Sequence, residues 1–163
     1  MRSNDYHFIT HWRVAGTVEE VYQTLSRTSD LPRWWPSVYL EVNETELGDG
    51  RGLEKVVSLH TRGWLPYTLR WHLRVTEARP PDGYSFDAWG DFVGRGVWAF
   101  AQDGSCVNIT FDWKIRAEKP LLRRLSFLLK PLFAANHRWA MSQGEKSLKA
   151  ELARRRSGRP AVA

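Results

Sequence analysis

The chain has 163 residues, 42% of them apolar, and a formal net charge of +6, which is the size of one domain. Its single cysteine, Cys106, excludes an internal disulfide and a cysteine metal cluster. No apolar stretch reaches the ~18 residues of a bilayer-spanning helix, and Met1-Arg2-Ser3-Asn4-Asp5 leads into no long apolar run, so a soluble, cytoplasmic protein without a secretory signal is expected.

Tyr6 to Val14 alternates as a strand, with Phe8, Thr10, Trp12 and Val14 on one face and His7, Ile9, His11 and Arg13 on the other. Thr17, with Glu20 three residues on, forms a capping-box start for a short helix whose apolar stripe is Val18, Val21, Tyr22 and Leu25. A helical turn bounded by prolines follows at Asp30 to Pro36. The spacing then predicts strands at Val38–Thr45, Leu53–Arg62, Tyr67–Thr76, Tyr84–Trp89, Phe92–Ala101 and Val107–Ile115. The third of these turns Tyr67, Leu69, Trp71, Leu73 and Val75 to one side. The last turns Val107, Ile109, Phe111, Trp113 and Ile115 inward. Both have a polar back, as half-buried antiparallel strands do. Gly94 and Gly96 share a face with Phe92, Trp98 and Phe100. Glycine inside a strand marks a bend, a bulge or a close approach.

The last third reads as helix. Lys119-Pro120 opens it, Pro131 is expected to break or kink it, and it continues to about Arg155. Its inward stripe is Phe133, His137, Met141 (or Ala140), Gly144, Leu148 and Leu152. Gly144 costs roughly 1 kcal/mol against alanine in a helix interior, so room under the helix, for the sheet or for a ligand, is its expected reason. From Glu118 onward eleven Lys/Arg face three Glu. That excess reads as a solvated helix face with a disordered basic tail at 157–163, or as a contact for an anionic membrane surface; nucleic acid is disfavoured.

One sheet with a single wet face, a short helical pair and a long final helix make an α+β plan over residues 1–156. The sheet must curl over the last helix, and a concave sheet and one helix cannot meet everywhere, so an internal cavity is expected. Nine Trp, five Tyr and seven Phe are more than a small core requires. Trp71, Trp98, Trp113 and Trp139 are candidates for the cavity wall, and the loop residues Trp35 and Trp64 for its gates.

Several runs resemble a known family. They are Trp12-Arg13-Val14, Val21-Tyr22, Trp34-Trp35-Pro36, Gly63-Trp64-Leu65-Pro66-Tyr67, Gly90-Asp91-Phe92-Val93-Gly94-Arg95-Gly96, and Phe133 through Met141. Over about residues 5 to 153 the chain resembles the START-like (SRPBCC) superfamily, in the branch of polyketide cyclases/dehydrases and lipid transport proteins. The resemblance implies a helix-grip fold, a curved antiparallel sheet wrapped around a long C-terminal helix with an internal cavity. It implies binding or transport of a hydrophobic small molecule (lipid, isoprenoid or polyketide-like), or else a cyclase/aromatase acting on a molecule held in the same place, because the superfamily contains both.

The expected ligand-binding residues are Trp12, Trp35, Trp64, Leu69, Trp71, Phe92, Trp98, Phe111, Trp113, Phe133, His137 and Met141. Candidates for catalysis are His137, which can move protons near neutral pH; Arg95, if a bulge turns it inward; and Asp91, a base or a turn cap. His7, His11, His60, His72 and His137 are scattered, and no phosphate-binding loop or Gly-x-Ser-x-Gly elbow occurs. No metal and no cofactor are therefore expected, and either a monomer or a homodimer is compatible with the sequence.

Overall fold

The computed structural model describes residues 3–158. Seven strands form one antiparallel sheet: β1 (Asp5–Ala15), β2 (Tyr39–Glu46), β3 (Val56–Arg62), β4 (Thr68–Arg79), β5 (Gly83–Gly90), β6 (Phe92–Asp103) and β7 (Cys106–Ala117). Their order is β1-β7-β6-β5-β4-β3-β2. Between β1 and β2 lie α1 (Val18–Ser26), a 3₁₀ turn (Thr28–Asp30) and the short α2 (Leu31–Trp34), and the chain closes with α3 (Pro120–Arg156). The sheet is curved, and its concave face and α3 enclose the core.

The periodicities of the sequence are realised locally. Thr17 caps α1, its hydroxyl accepting from the Glu20 N–H at 3.2 Å. Leu69, Trp71, Leu73 and Val75 of β4 are buried, as are Val107, Ile109, Phe111, Trp113 and Ile115 of β7. The wet face carries polar pairs, among them the His7–Asp112 hydrogen bond at 2.8 Å and the Arg13–Asp103 ion pair at 2.7 Å. The second strand of the predicted series starts at Val56, not Leu53, because Glu54 takes a positive φ of 64° that ends the extended run.

Pro131 does not break α3, which runs unbroken through it for 37 residues. Proline removes one N–H and crowds the residue four positions back. Here that turn faces solvent, with Phe127 74% exposed, where a missing intrahelical bond is best tolerated.

Gly144 also departs from expectation. The room it leaves is taken by Trp35: a Cβ at Gly144 would lie 2.3 Å from Trp35 Cζ2 and 2.6 Å from two further ring atoms. Trp35 is 2% exposed. The glycine thus lets the indole lie against the helix backbone, and the short α2 is clamped to α3.

The basic end of α3 is tied down. Glu151, itself buried, receives hydrogen bonds from Arg33 (2.7 Å), Arg154 (2.8 Å) and Arg155 (2.8 Å), and Arg156 pairs with Glu20 at 3.2 Å. Burial opposes the charge on Glu151, but the three guanidinium groups outweigh it and hold the carboxyl well below the usual carboxylate range. Three of the arginines counted toward a solvated helix face are therefore engaged with carboxylates of the ordered body. Residues 157 and 158 form a turn, and the remainder of the expected tail lies outside the described residues.

Candidate functional site

Between the concave sheet and α3 lies a cavity of about 140 Å³. Its wall is a layer of rings generated by strand register. Trp98 on β6 and Phe111 on β7 are direct partners, and their rings stack with centroids 4.2 Å apart. Trp113 continues the row at 5.7 Å from Phe111, with Trp71 5.6 Å from Trp113. Phe86 reaches this cluster across Gly96, its register partner. A Cβ at Gly96 would lie 2.3 Å from Phe86 Cζ, so only glycine admits the ring. The strand glycine serves aromatic packing, and the wall depends on it.

Ten of the twelve expected ligand-binding residues line this cavity: Leu69, Trp71, Phe92, Trp98, Phe111 and Trp113 from the sheet, Trp35 from the end of α2, and Phe133, His137 and Met141 from α3. Trp12 and Trp64 do not. Trp12 is buried one layer behind, between Trp35 (5.6 Å) and Trp98 (5.4 Å). Trp64 stands outside on the β3–β4 loop, 47% exposed. Trp139 is half-buried against the outside of the core and forms no part of the wall.

The space is smaller than the sequence implies. Sites for drug-sized ligands are ~300–1,000 Å³, whereas an apolar cavity of ~150 Å³ holds a molecule the size of benzene. Indoles and phenyl rings interlock at the wall instead of standing apart around an empty centre.

The polar groups sort by position. The His137 ring stacks on Phe8, with centroids 4.1 Å apart. Its Nε2 is shielded from solvent and has no hydrogen-bond partner among the described residues. Burial, reinforced by the Arg138 charge, pushes its pKa down to about 4, so the imidazole is neutral at physiological pH. Trp35 Nε1 is likewise buried without a partner. Arg95 faces the other way. The β5–β6 and β6–β7 registers run through it without a bulge, so alternation sends it to the convex face, where it pairs with Glu77 at 2.7 Å and lies 3.9 Å from Asp87. Asp91 is a joint between strands: its Oδ2 accepts from the Arg70 N–H at 2.8 Å, and its carbonyl accepts from the Glu118 N–H at 2.8 Å. Of the three catalytic candidates, only His137 reaches the cavity.

Sequence reasoning missed Asn136. It is buried on α3, and its Oδ1 accepts from the backbone N–H groups of Trp64 (2.9 Å) and Leu65 (3.2 Å). It thereby pins the β3–β4 loop to α3 beside the cavity, which Gly63, Tyr67 and Asn136 help to line. A Cβ at Gly63 would sit 2.1 Å from that oxygen, so the loop glycine and the helix amide form a matched pair. Beside them Tyr67 lines the cavity, and burial pushes its hydroxyl up to about 12. One signal was present in the sequence: Asn136 stands three residues after Phe133 and four before Ala140, which puts its amide on the inward side of the helix.

No family model and no curated protein matches the sequence. Solved structures do match. Zhui aromatase/cyclase from Streptomyces sp. R1128 superposes with a TM-score of 0.66 at 18% identity, covering 93% of this chain and 95% of that one. TTHA0849 from Thermus thermophilus gives a TM-score of 0.70 at 15% identity, covering 90% and 99%. A START superfamily protein from Mycobacterium smegmatis gives 0.66 at 12% identity, covering 91% and 97%. The chain has the START-like helix-grip fold. At these identities the likeness extends to the fold alone, and what this START-like chain does has to be argued from its own cavity. Among its described residues no three His, Cys, Asp or Glu side chains converge as a metal site, and no helix is long and apolar enough to cross a membrane.

Proposed function

We propose that the chain binds an apolar, ring-bearing small molecule with one polar substituent, by enclosure and without chemical turnover. The observation that carries this reading is the aromatic-walled cavity of about 140 Å³ in which two lining residues, Trp35 and His137, hold buried polar atoms with no partner. Burying such an atom unpaired costs ~1–3 kcal/mol, and a guest hydroxyl that reaches one of them would recover it. A lipid, isoprenoid or polyketide-like guest needs at least about twice the volume. It would be admitted by displacement of the flexible Met141 and of Phe133, not of the stacked wall.

The cyclase/aromatase reading draws support from the fold shared with Zhui aromatase/cyclase. It is the weaker one because, of the three candidate catalytic residues, only His137 lines the cavity, with Arg95 and Asp91 engaged elsewhere, while burial keeps the lining Tyr6, Tyr39, Tyr67 and Tyr84 protonated. Positioning a guest needs only walls; a cyclisation also needs a partner for the proton that His137 would take.

Isothermal titration of the full chain with p-cresol and toluene tests the proposal. Saturable one-to-one binding of p-cresol is expected, with toluene on the order of tenfold weaker because it lacks the oxygen. Met141→Trp, which fills the cavity, should abolish both. Absence of saturable binding by either compound, or unchanged affinity in Met141→Trp, would refute enclosure. Equal affinity for the two would refute the polar anchor.

A further inference from the structure

The outer face of the first half of α3 has no partner among the described residues. Leu121 (48% exposed), Phe127 (74%), Leu128 (65%) and Leu132 (38%) all point to solvent, while Leu122 and Ser126 on the same turns are buried. Helical spacing puts Leu121, Arg124, Leu128 and Leu132 on one line, with Arg123 and Phe127 on the line beside it. The helix is therefore apolar on both sides over these turns, which an aqueous surface does not require.

Charge singles out the occupant. From Lys119 to Gly144 the sequence contains five Lys/Arg and no Asp or Glu, and Arg123 and Arg124 are exposed without an ion-pair partner among the described residues. This contrasts with the far end of α3, where Arg154, Arg155 and Arg156 are all engaged with carboxylates. Leu and Phe interleaved with unpaired Arg is the composition of a helix that lies in a membrane interface, apolar side chains at the acyl boundary and guanidinium groups at anionic head groups.

We infer that residues 121–132 dock the protein on an anionic membrane surface. The attachment is peripheral and reversible, since α3 stays part of the folded body and only one face enters the interface. The inner side of the same segment contributes Leu122 to the cavity lining, and Phe133 follows directly. The docked helix would thus bring the cavity to the bilayer, where apolar guests are concentrated. The inference does not depend on what the cavity holds.

Co-sedimentation of the full chain with sonicated vesicles tests it, using phosphatidylcholine alone against phosphatidylcholine with phosphatidylglycerol. Binding to the anionic vesicles is expected, weakening as salt is raised, with far less binding to the neutral ones. Arg123→Gln with Arg124→Gln should weaken it on the order of tenfold or more, and Phe127→Asp should abolish it. Both changes lie on exposed side chains, and circular dichroism checks that the fold is kept. Lys146→Gln with Lys149→Gln, beyond the segment, should leave binding unchanged. Equal binding to both vesicle types, sedimentation with neither, or loss only in the Lys146/Lys149 variant overturns the inference. So does a concentration-dependent dimer that Phe127→Asp dissociates, which would assign the face to a second copy.

Discussion

Replacing Gly144 with alanine separates two accounts of the space beneath α3. If the glycine left room for a ligand, a methyl group would be accommodated and the helix would gain roughly 1 kcal/mol of propensity. The structure requires the opposite. The new Cβ would fall 2.3, 2.6 and 2.6 Å from three atoms of Trp35, against ~3.5–4.0 Å for a relaxed carbon contact. Relief demands that the indole move by about 1 Å, and it is held by Tyr39 (5.0 Å), Trp12 (5.6 Å) and Trp34 (5.7 Å). Overpacking of this kind costs roughly 1–3 kcal/mol or more. Three ring atoms approached at once put the cost at the upper end of that range, about 3 kcal/mol, so after the propensity gain of about 1 kcal/mol the net loss should be about 2 kcal/mol, which for a chain of this size lowers Tm by roughly 4–8 °C. Urea denaturation followed by far-UV circular dichroism measures it. Trp35→Phe in the same molecule should relieve part of the loss, giving a coupling well above the error. A Gly144→Ala protein as stable as the parent, or more so, would refute the clamp and restore the reading of empty space.

The remaining expectations concern titration and the loop. His137 is held neutral with a pKa near 4, so between pH ~6.5 and 4 the unfolded chain takes up a proton that the folded one refuses. Stability should therefore fall with falling pH across that window, by up to about 3 kcal/mol; His137→Phe should remove this component, and an unchanged slope would contradict it. Glu151 is depressed instead, so its contribution is present above the ordinary carboxylate pKa and is lost as pH drops below about 4.5. Glu151→Gln should cost about 2–3 kcal/mol near pH 7, by leaving Arg33, Arg154 and Arg155 short of their shared acceptor; a cost under about 0.5 kcal/mol, the size of an ordinary surface substitution, would show the cluster to be ornamental. Asn136→Ala should cost about 1–3 kcal/mol by orphaning the Trp64 and Leu65 N–H groups, with faster amide exchange confined to residues 63–66; unchanged exchange there would dismiss the pin.

The strands and their faces were legible because alternation is a local property: β4 and β7 present inward the side chains that stand at every second position of their sequences. The cavity lining followed by extension, since rings on inward faces of a curled sheet meet beneath the last helix. Arg95 was not legible. Its direction depends on whether β6 carries a bulge, and that is decided by pairing with β5 and β7 along their whole length. Pro131 misled for a related reason: proline's penalty is local, but its tolerance depends on which way that turn faces.

By itself, then, the order of residues determined which side chains turn inward, where the helices start, and that large rings would gather in one place, because each follows from spacing within a few neighbours. Only the tertiary structure decided how much space those rings leave, that Trp35 fills the notch at Gly144, that Glu151 gathers the arginines at the end of α3, and that the first half of that helix keeps its leucines and arginines uncovered. Volume, charge compensation and coverage are properties of groups brought together from distant positions, and no local pattern encodes their sum.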